Sequence, residues 1–226
     1  MAIKIQSTSD VSSKQGIKAL VYGDAGVGKT VLCSTAPNNI ILSAESGLLS
    51  LRKHKLPYIN IDTYKDLEEA YMWAIKSNEA KNFQTISLDS ISEIAEVLLV
   101  DAKSKTRDGR KAFFDMQETI IALIKSFRDI PEKNVYFSAK QAVVRDGTTG
   151  AMFFGPSMPG QATAPQLPYL FDEVFQLTVF VDPATNVETR ALRCKKDNQY
   201  QAKDRSGNLD PWEPADLNHI FNKIRS

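Results

Sequence analysis

The chain has 226 residues, 42% hydrophobic and 24% charged, a globular composition that excludes disordered, fibrous and disulfide-stapled classes. With 28 basic against 27 acidic residues the net charge is +1, so no global field draws nucleic acid or membrane and any anion site must be local. Two isolated cysteines, Cys33 and Cys194, make neither a disulfide framework nor a zinc set and fit a reducing cytoplasm. The N-terminus lacks an apolar signal region, and no run nears the roughly 18 apolar residues of a membrane span, so no membrane partner is expected.

Residues 1–16 are polar and serine-rich and are expected to form an arm ahead of one domain over 17–226. Ile17–Tyr22 reads as a β-rich run, followed by a glycine turn and a short helix from Lys29, ended near Pro37. Ile40–Leu42 and Tyr58–Ile61 read as further strands. Asp62 and Thr63 are good helix caps before a stripe of Leu67, Ala70, Tyr71, Ala74 and Ile75. Thr85–Leu88 is a strand ending at Asp89, and Ile91, Ile94, Ala95, Leu98 and Leu99 stripe the next helix. Phe113, Met116, Ile120, Leu123, Ile124 and Phe127 stripe another, which Pro131 ends before a strand over Val135–Ala139. Alternating strands and helices predict an α/β fold with a mostly parallel sheet flanked by helices.

The last third differs. Four glycines and four prolines between 147 and 168 predict a loop. Val174–Val181 and Val187–Cys194 read as an antiparallel hairpin, and Pro214 is placed in the first turn of a final helix. The C-terminal part is therefore expected to be an antiparallel extension.

Gly23, Asp24, Ala25, Gly26, Val27, Gly28, Lys29 and Thr30 match G-x-x-x-x-G-K-[ST], with a strand before and a helix after. The glycines let backbone N–H groups turn inward around a phosphate chain. Lys29 reaches the β- and γ-phosphates and the Thr30 hydroxyl ligates Mg²⁺. The bare pattern arises by chance in roughly 1% of chains this long. Asp89 closes its strand as a Walker B aspartate does, holding Mg²⁺ through water; Ser90 is the competing helix cap. Hydrolysis needs a group that orients or deprotonates water. Glu45, just past the second strand, falls on the carboxyl edge beside the phosphate loop, with Glu93 in reserve. N-K-x-D and D-x-x-G are absent, since Lys195–Asn198 and Asp89–Ser92 match neither, which disfavours a GTPase.

The order of Walker A, Glu45, the Walker B run Leu88–Ser90, and a strand over Val135–Ala139 followed by Gln141 resembles the RecA/RadA recombinase superfamily. Lys203-Asp204-Arg205-Ser206-Gly207 is similar to the K-N-R-x-G motif of RadA and DnaB-like ATPases, with Asp204 in place of the Asn. The resemblance covers roughly residues 15–225. It is nearest to the compact phage Sak-type single-strand annealing proteins, to whose pattern Phe154–Pro156 and Phe171–Val174 are similar.

That resemblance implies ATP and Mg²⁺ as cofactors, a nucleotide site between subunits of a ring or filament, and Lys203 and Arg205 reaching a neighbour's nucleotide. It implies that Gln141 senses the γ-phosphate. It also implies two loops that touch single-stranded DNA. One is the basic stretch Lys103, Lys105, Arg107, Arg110 and Lys111; the other is Val143–Gln161 with Arg145, Phe153 and Phe154. The expected function is an ATPase acting in phage DNA recombination in the bacterial host cytoplasm, with a single-stranded-DNA-binding protein as a partner. The alternatives are a DnaB-like motor or helicase, and a nucleotide-switched assembly or loading factor.

Overall fold

A computed structural model describes residues 16–45, 47–160, 162–181 and 185–226. The arm expected over 1–16 lies, apart from Gly16, outside them. Ten strands form the sheet: β1 (Lys18–Gly23), β2 (Asn39–Ser43), β3 (Tyr58–Asn60), β4 (Thr85–Asp89), β5 (Asn134–Arg145), β6 (Met152–Pro156), β7 (Glu173–Val181), β8 (Glu188–Arg193), β9 (Lys203–Asp204) and β10 (Trp212–Pro214). Their order is β3-β2-β4-β5-β1-β7-β8-β10, with β6 paired to β5 and β9 to β7. The pairs from β3 through β7 along this path are parallel; those of β8, β9, β10 and β6 are antiparallel. This is the expected architecture, a mostly parallel centre with an antiparallel extension.

The central strands β1, β2 and β4 are buried along their whole length, as continuous apolar runs covered on both faces must be. One face packs α2 (Tyr64–Lys76), α3 (Ile91–Lys105) and α4 (Gly109–Arg128) around Leu67, Ile94, Leu98, Ile120, Ile124 and Phe127. The other packs α1 (Lys29–Cys33) and the C-terminal helix (Leu217–Arg225) around Leu32, Cys33, Leu217, Ile220 and Phe221. Local signals set the helix starts. Thr63 and Asp66 form a reciprocal capping box on α2, and Ser90 and Asp108 cap α3 and α4. On the expected stripes, Ile75 departs: it is 44% exposed.

Two further expectations are corrected. The predicted loop from Val143 holds a β-hairpin, because β5 runs on to Arg145 and pairs antiparallel with β6. Beyond Lys140, opposite Gly23, β5 has no β1 left to pair with, so its backbone groups take β6 instead. The hairpin is anchored. Phe154 stacks on Tyr200 at 5.0 Å, and the buried Tyr22 hydroxyl donates to the carbonyls of Phe154 and Gln201 at 3.0 and 2.6 Å. Pro214 lies in β10 rather than in the last helix, whose cap is Asp216, accepting from Asn218 and His219.

Candidate functional site

The site forms where the parallel strands end. β1 stops at Gly23, and the turn Asp24–Gly28 leads into α1. Gly26 and Gly28 take φ of 75° and 106°, the left-handed region that glycine alone enters freely. A Cβ on Gly23 would lie 2.7 Å from the Leu177 carbonyl oxygen, and one on Gly28 2.7 Å from the Arg190 guanidinium. Three glycines of the motif are thus required by backbone conformation or close approach. The turn opens on a cleft of about 960 Å³, lined by the phosphate loop, Thr30, Glu45, Glu93, Lys140, Gln141 and Arg190.

Lys29 Nζ donates to the carbonyls of Gly23 and Asp24 at 2.8 and 2.9 Å, lying back over its own loop. Burial lowers its pKa, opposed by the carboxylates of Glu45, Asp89 and Asp24. Asp89 ends β4 and is buried. Its Oδ1 accepts from Ser138 Oγ, while its buried Oδ2 has no partner. Glu45 Oε1 accepts from Ser90 Oγ at 2.8 Å, and Ser43 Oγ donates to the Glu45 carbonyl at 2.7 Å. Ser90 therefore caps α3 and aims Glu45 at once. The reserve acid, Glu93, is paired with Lys140, and that contact raises the lysine's pKa. Gln141 Nε2 donates to Asp24 Oδ1 at 2.8 Å, and its buried Oε1 has no partner.

The residues fit a magnesium nucleotide. The unpartnered Asp89 oxygen behind the loop is an acceptor left for water or a cation. The left-handed glycines hold the loop in the form that turns N–H groups inward. Among the described residues no three His, Cys, Asp or Glu side chains cluster as a metal set, so a divalent ion here needs phosphate oxygens and water beside Thr30 and Asp89, the habit of Mg²⁺.

The fold lines one cleft with Lys29, Thr30, Glu45 and Gln141, and sets the buried Asp89 near enough to act on the charge of Lys29. It does not bring Lys203 and Arg205 to this cleft. Val174 and Glu173, opposite Lys203 and Asp204, pair with Leu20 and Ala19. Ala19 lies four residues before Gly23, roughly 13 Å along the strand at about 3.3 Å per residue. Lys203 Nζ donates to the carbonyls of Pro168 and Phe171 at 2.8 and 2.5 Å, and Arg205 pairs with Asp172 at 2.7 Å. Within the single chain both make contacts of their own, far from this cleft; the expected role of Lys203 and Arg205 concerns a neighbour's nucleotide and remains a proposal. Sequence reasoning missed Arg190, Lys140, Ser90 as the orienter of Glu45, and Ser138. Ser138 and Lys140 sit on the strand carrying Gln141 and were findable by register; Arg190 lies on a strand far along the chain and left no local signal.

The two predicted DNA stretches adjoin. Lys103 and Lys105 close α3, and Arg110 and Lys111 open α4, so the basic stretch is a helix corner. Lys105 pairs with Asp101 at 2.6 Å and Lys111 with Asp115 at 3.2 Å; Arg107 and Arg110 have no ion-pair partner among the described residues. Phe113 lies beside Gly160, whose Cβ would be 3.5 Å from the ring, which brings the segment after β6 against α4. Arg145 ends β5 in the hairpin. Phe154 is used in the Tyr200 stack and Phe153 packs partly on the core, so the exposed aromatics here are Phe114 and, against the expected stripe, Phe113.

A family model described as an AAA domain matches residues 15–206. The chain belongs to that AAA domain family. It is an AAA-type P-loop ATPase domain of α/β fold, with β5 between the phosphate-loop strand and the Asp89 strand. No curated protein matches the sequence. A crystal structure of a KaiC-like protein from the hyperthermophilic archaeon Pyrococcus horikoshii OT3 aligns over 84% of this chain and 83% of that one, with 14% identity and a TM-score of 0.48. No helix of the described residues is long and apolar enough to cross a membrane.

Proposed function

We propose that the protein is a Mg²⁺-dependent ATPase that couples nucleotide turnover to its grip on single-stranded DNA, in recombination of the annealing or strand-exchange type. The observation that carries this reading is β5. At Gln141 the strand is hydrogen-bonded to Asp24 of the phosphate loop, and four residues on it ends at Arg145 in the anchored hairpin. A change at the loop would pass along one continuous strand to a hairpin whose following segment, at Gly160, lies against Phe113 of α4.

In the cleft, Mg²⁺ bound with ATP supplies charge neutralisation at the phosphates. The chain's own part is positional. Lys29 leaves its two carbonyls for the phosphate chain. Glu45, aimed by Ser90, orients water and takes its proton. Glu93 is the less available of the two acids because its carboxylate is already engaged by Lys140. Assembly into a ring or filament, a phage setting and a single-stranded-DNA-binding partner belong to the same reading by resemblance. The second reading, a nucleotide-switched factor acting on a protein, draws on the exposed apolar residues Val179, Phe180, Val181 and Val187 of the β7–β8 ribbon.

ATP turnover with and without single-stranded DNA, with Lys29→Ala as control, separates the two. Stimulation by DNA that disappears in Lys29→Ala is expected. Turnover indifferent to DNA overturns the coupling and favours the protein-directed switch.

A further inference from the structure

Arg190 stands on β8, two strands away from the phosphate loop in the sheet order, yet its side chain crosses β7 to the cleft. Its Nε donates to the Val27 carbonyl at 2.7 Å. The guanidinium lies flat on Gly28, where a Cβ would meet its Nε at 2.7 Å and its Cζ at 3.4 Å. That contact uses one of five N–H donors. Among the described residues the Arg190 guanidinium has no carboxylate partner and no other hydrogen bond. A guanidinium stays charged at any pH the protein meets.

The charges around the cleft give this arginine a use. Lys29 faces Glu45, Asp89 and Asp24, and Lys140 is spent on Glu93. Lys203 and Arg205 are held at the opposite edge of the sheet. Arg190 is the cation at the cleft with no acid assigned to it, and it sits against the end of the loop that enters α1.

We propose that Arg190 is a nucleotide-binding residue: its Nε braces the phosphate loop at Val27 while its Nη groups hydrogen-bond the phosphate chain of the bound nucleoside triphosphate. Charge that a neighbouring subunit supplies in many assemblies is then supplied from within the chain, by the C-terminal extension. A planar fork suits this double task, since one edge holds the loop and the other faces the ligand. The inference rests on the nucleotide site proposed above.

The test is equilibrium binding of a fluorescent ATP analogue with Mg²⁺ to the full chain, as wild type, Arg190→Ala, Arg190→Lys and Lys29→Ala, with ligand-free melting temperatures alongside. Arg190→Ala is expected to bind about 10- to 100-fold more weakly, the usual worth of a charged hydrogen bond. Arg190→Lys is expected to recover part of that loss by charge alone, with ligand-free melting close to wild type in both. Wild-type affinity in Arg190→Ala overturns the proposal. So does equal weakening of both Arg190 variants with a lowered ligand-free melting temperature, which identifies a purely structural strap. If the wild type fails to bind, or binds no better than Lys29→Ala, the nucleotide-site reading itself fails and this inference falls with it.

Discussion

At the carboxyl edge of the sheet, several polar side chains keep donors or acceptors in hand, although Lys29 is shared between two carbonyls of its own loop. Asp89 has a buried oxygen without a partner, Gln141 another, and Arg190 the greater part of its guanidinium. At the amino edge, charged side chains are consumed. Lys203 is shared between two carbonyls, Arg205 is paired with Asp172, and Asp204 accepts from Ser206, Gly207 and Leu209. Lys18, buried in β1, donates to the carbonyls of Ile130 and Lys133, and burial pulls its pKa down to about 8. Unspent hydrogen-bonding capacity in a buried place costs stability. Asp89 and Gln141 each leave a buried oxygen unpartnered at the carboxyl edge, where the cleft opens, whereas the amino edge leaves Glu173 Oε2 and, among the described residues, no cleft of this kind beside it.

The sharpest way to break this contrast is at Glu45. Glu45→Gln is expected to lower ATP turnover about 10²- to 10⁴-fold, the usual worth of a general base, with little change in ATP affinity. Glu93→Gln, at a carboxylate already engaged by Lys140, is expected to cost far less. Steady-state turnover and nucleotide titration of both variants decide the assignment, and the reverse ranking would transfer the role of base to Glu93.

The amino edge should respond in stability and not in rate. Lys203→Ala removes two hydrogen bonds from an ammonium, and denaturant unfolding is expected to show a loss of about 1–3 kcal/mol. Turnover per folded molecule should stay near wild type. A loss of turnover without loss of stability, restored on mixing with Lys29→Ala protein, would return Lys203 to a role at a neighbour's nucleotide.

Glu173 gives the amino edge a pH signature. It is buried next to Asp204, and burial first, then that neighbouring charge, push its pKa up to about 8 from 4.5. Between pH 4.5 and 8 the folded chain keeps a proton that the unfolded chain has lost, so this residue's contribution to stability falls as pH rises and is gone above 8. Glu173→Gln is therefore expected to stabilise at pH 8 by at least about 1 kcal/mol, the worth of one pKa unit, and to change little near pH 4. Melting curves of the two proteins across that range supply the check; parallel curves would count against a shifted Glu173.

The smallest expected effect concerns DNA. If Arg107 and Arg110 each neutralise one phosphate of a single strand, their joint replacement by Gln should reduce the slope of log affinity against log salt by about 1.4, at about 0.7 per contact. An unchanged slope would place the strand elsewhere, the β5–β6 hairpin being the next surface to test.

Much of this was legible in the chain. The glycine turn carries its own geometry, because left-handed positions and close approaches select Gly23, Gly26 and Gly28 locally. Asp89 and Glu45 could be placed because a parallel strand delivers whatever follows it to the carboxyl edge. The β5–β6 hairpin was hidden by its glycines and prolines; what orders it is Tyr22 and Tyr200, distant in sequence. The intrachain contacts of Lys203 with the carbonyls of Pro168 and Phe171 were not legible, because a short charged run reads the same whether its cations face a ligand or a carbonyl.

By itself the sequence determined the α/β class, the glycine turn, the place of Asp89 and Glu45 at the carboxyl edge, and the strand that carries Gln141. These follow from short-range rules: strand periodicity, glycine conformation and cap chemistry act within a few residues. Only the tertiary structure decided that Arg190 reaches the loop across β7, that Lys140 pairs with Glu93, and that Lys203 and Arg205 find intrachain partners at the amino edge. Each of those depends on strand order and register, which set side-chain neighbours through packing between segments far apart in the chain.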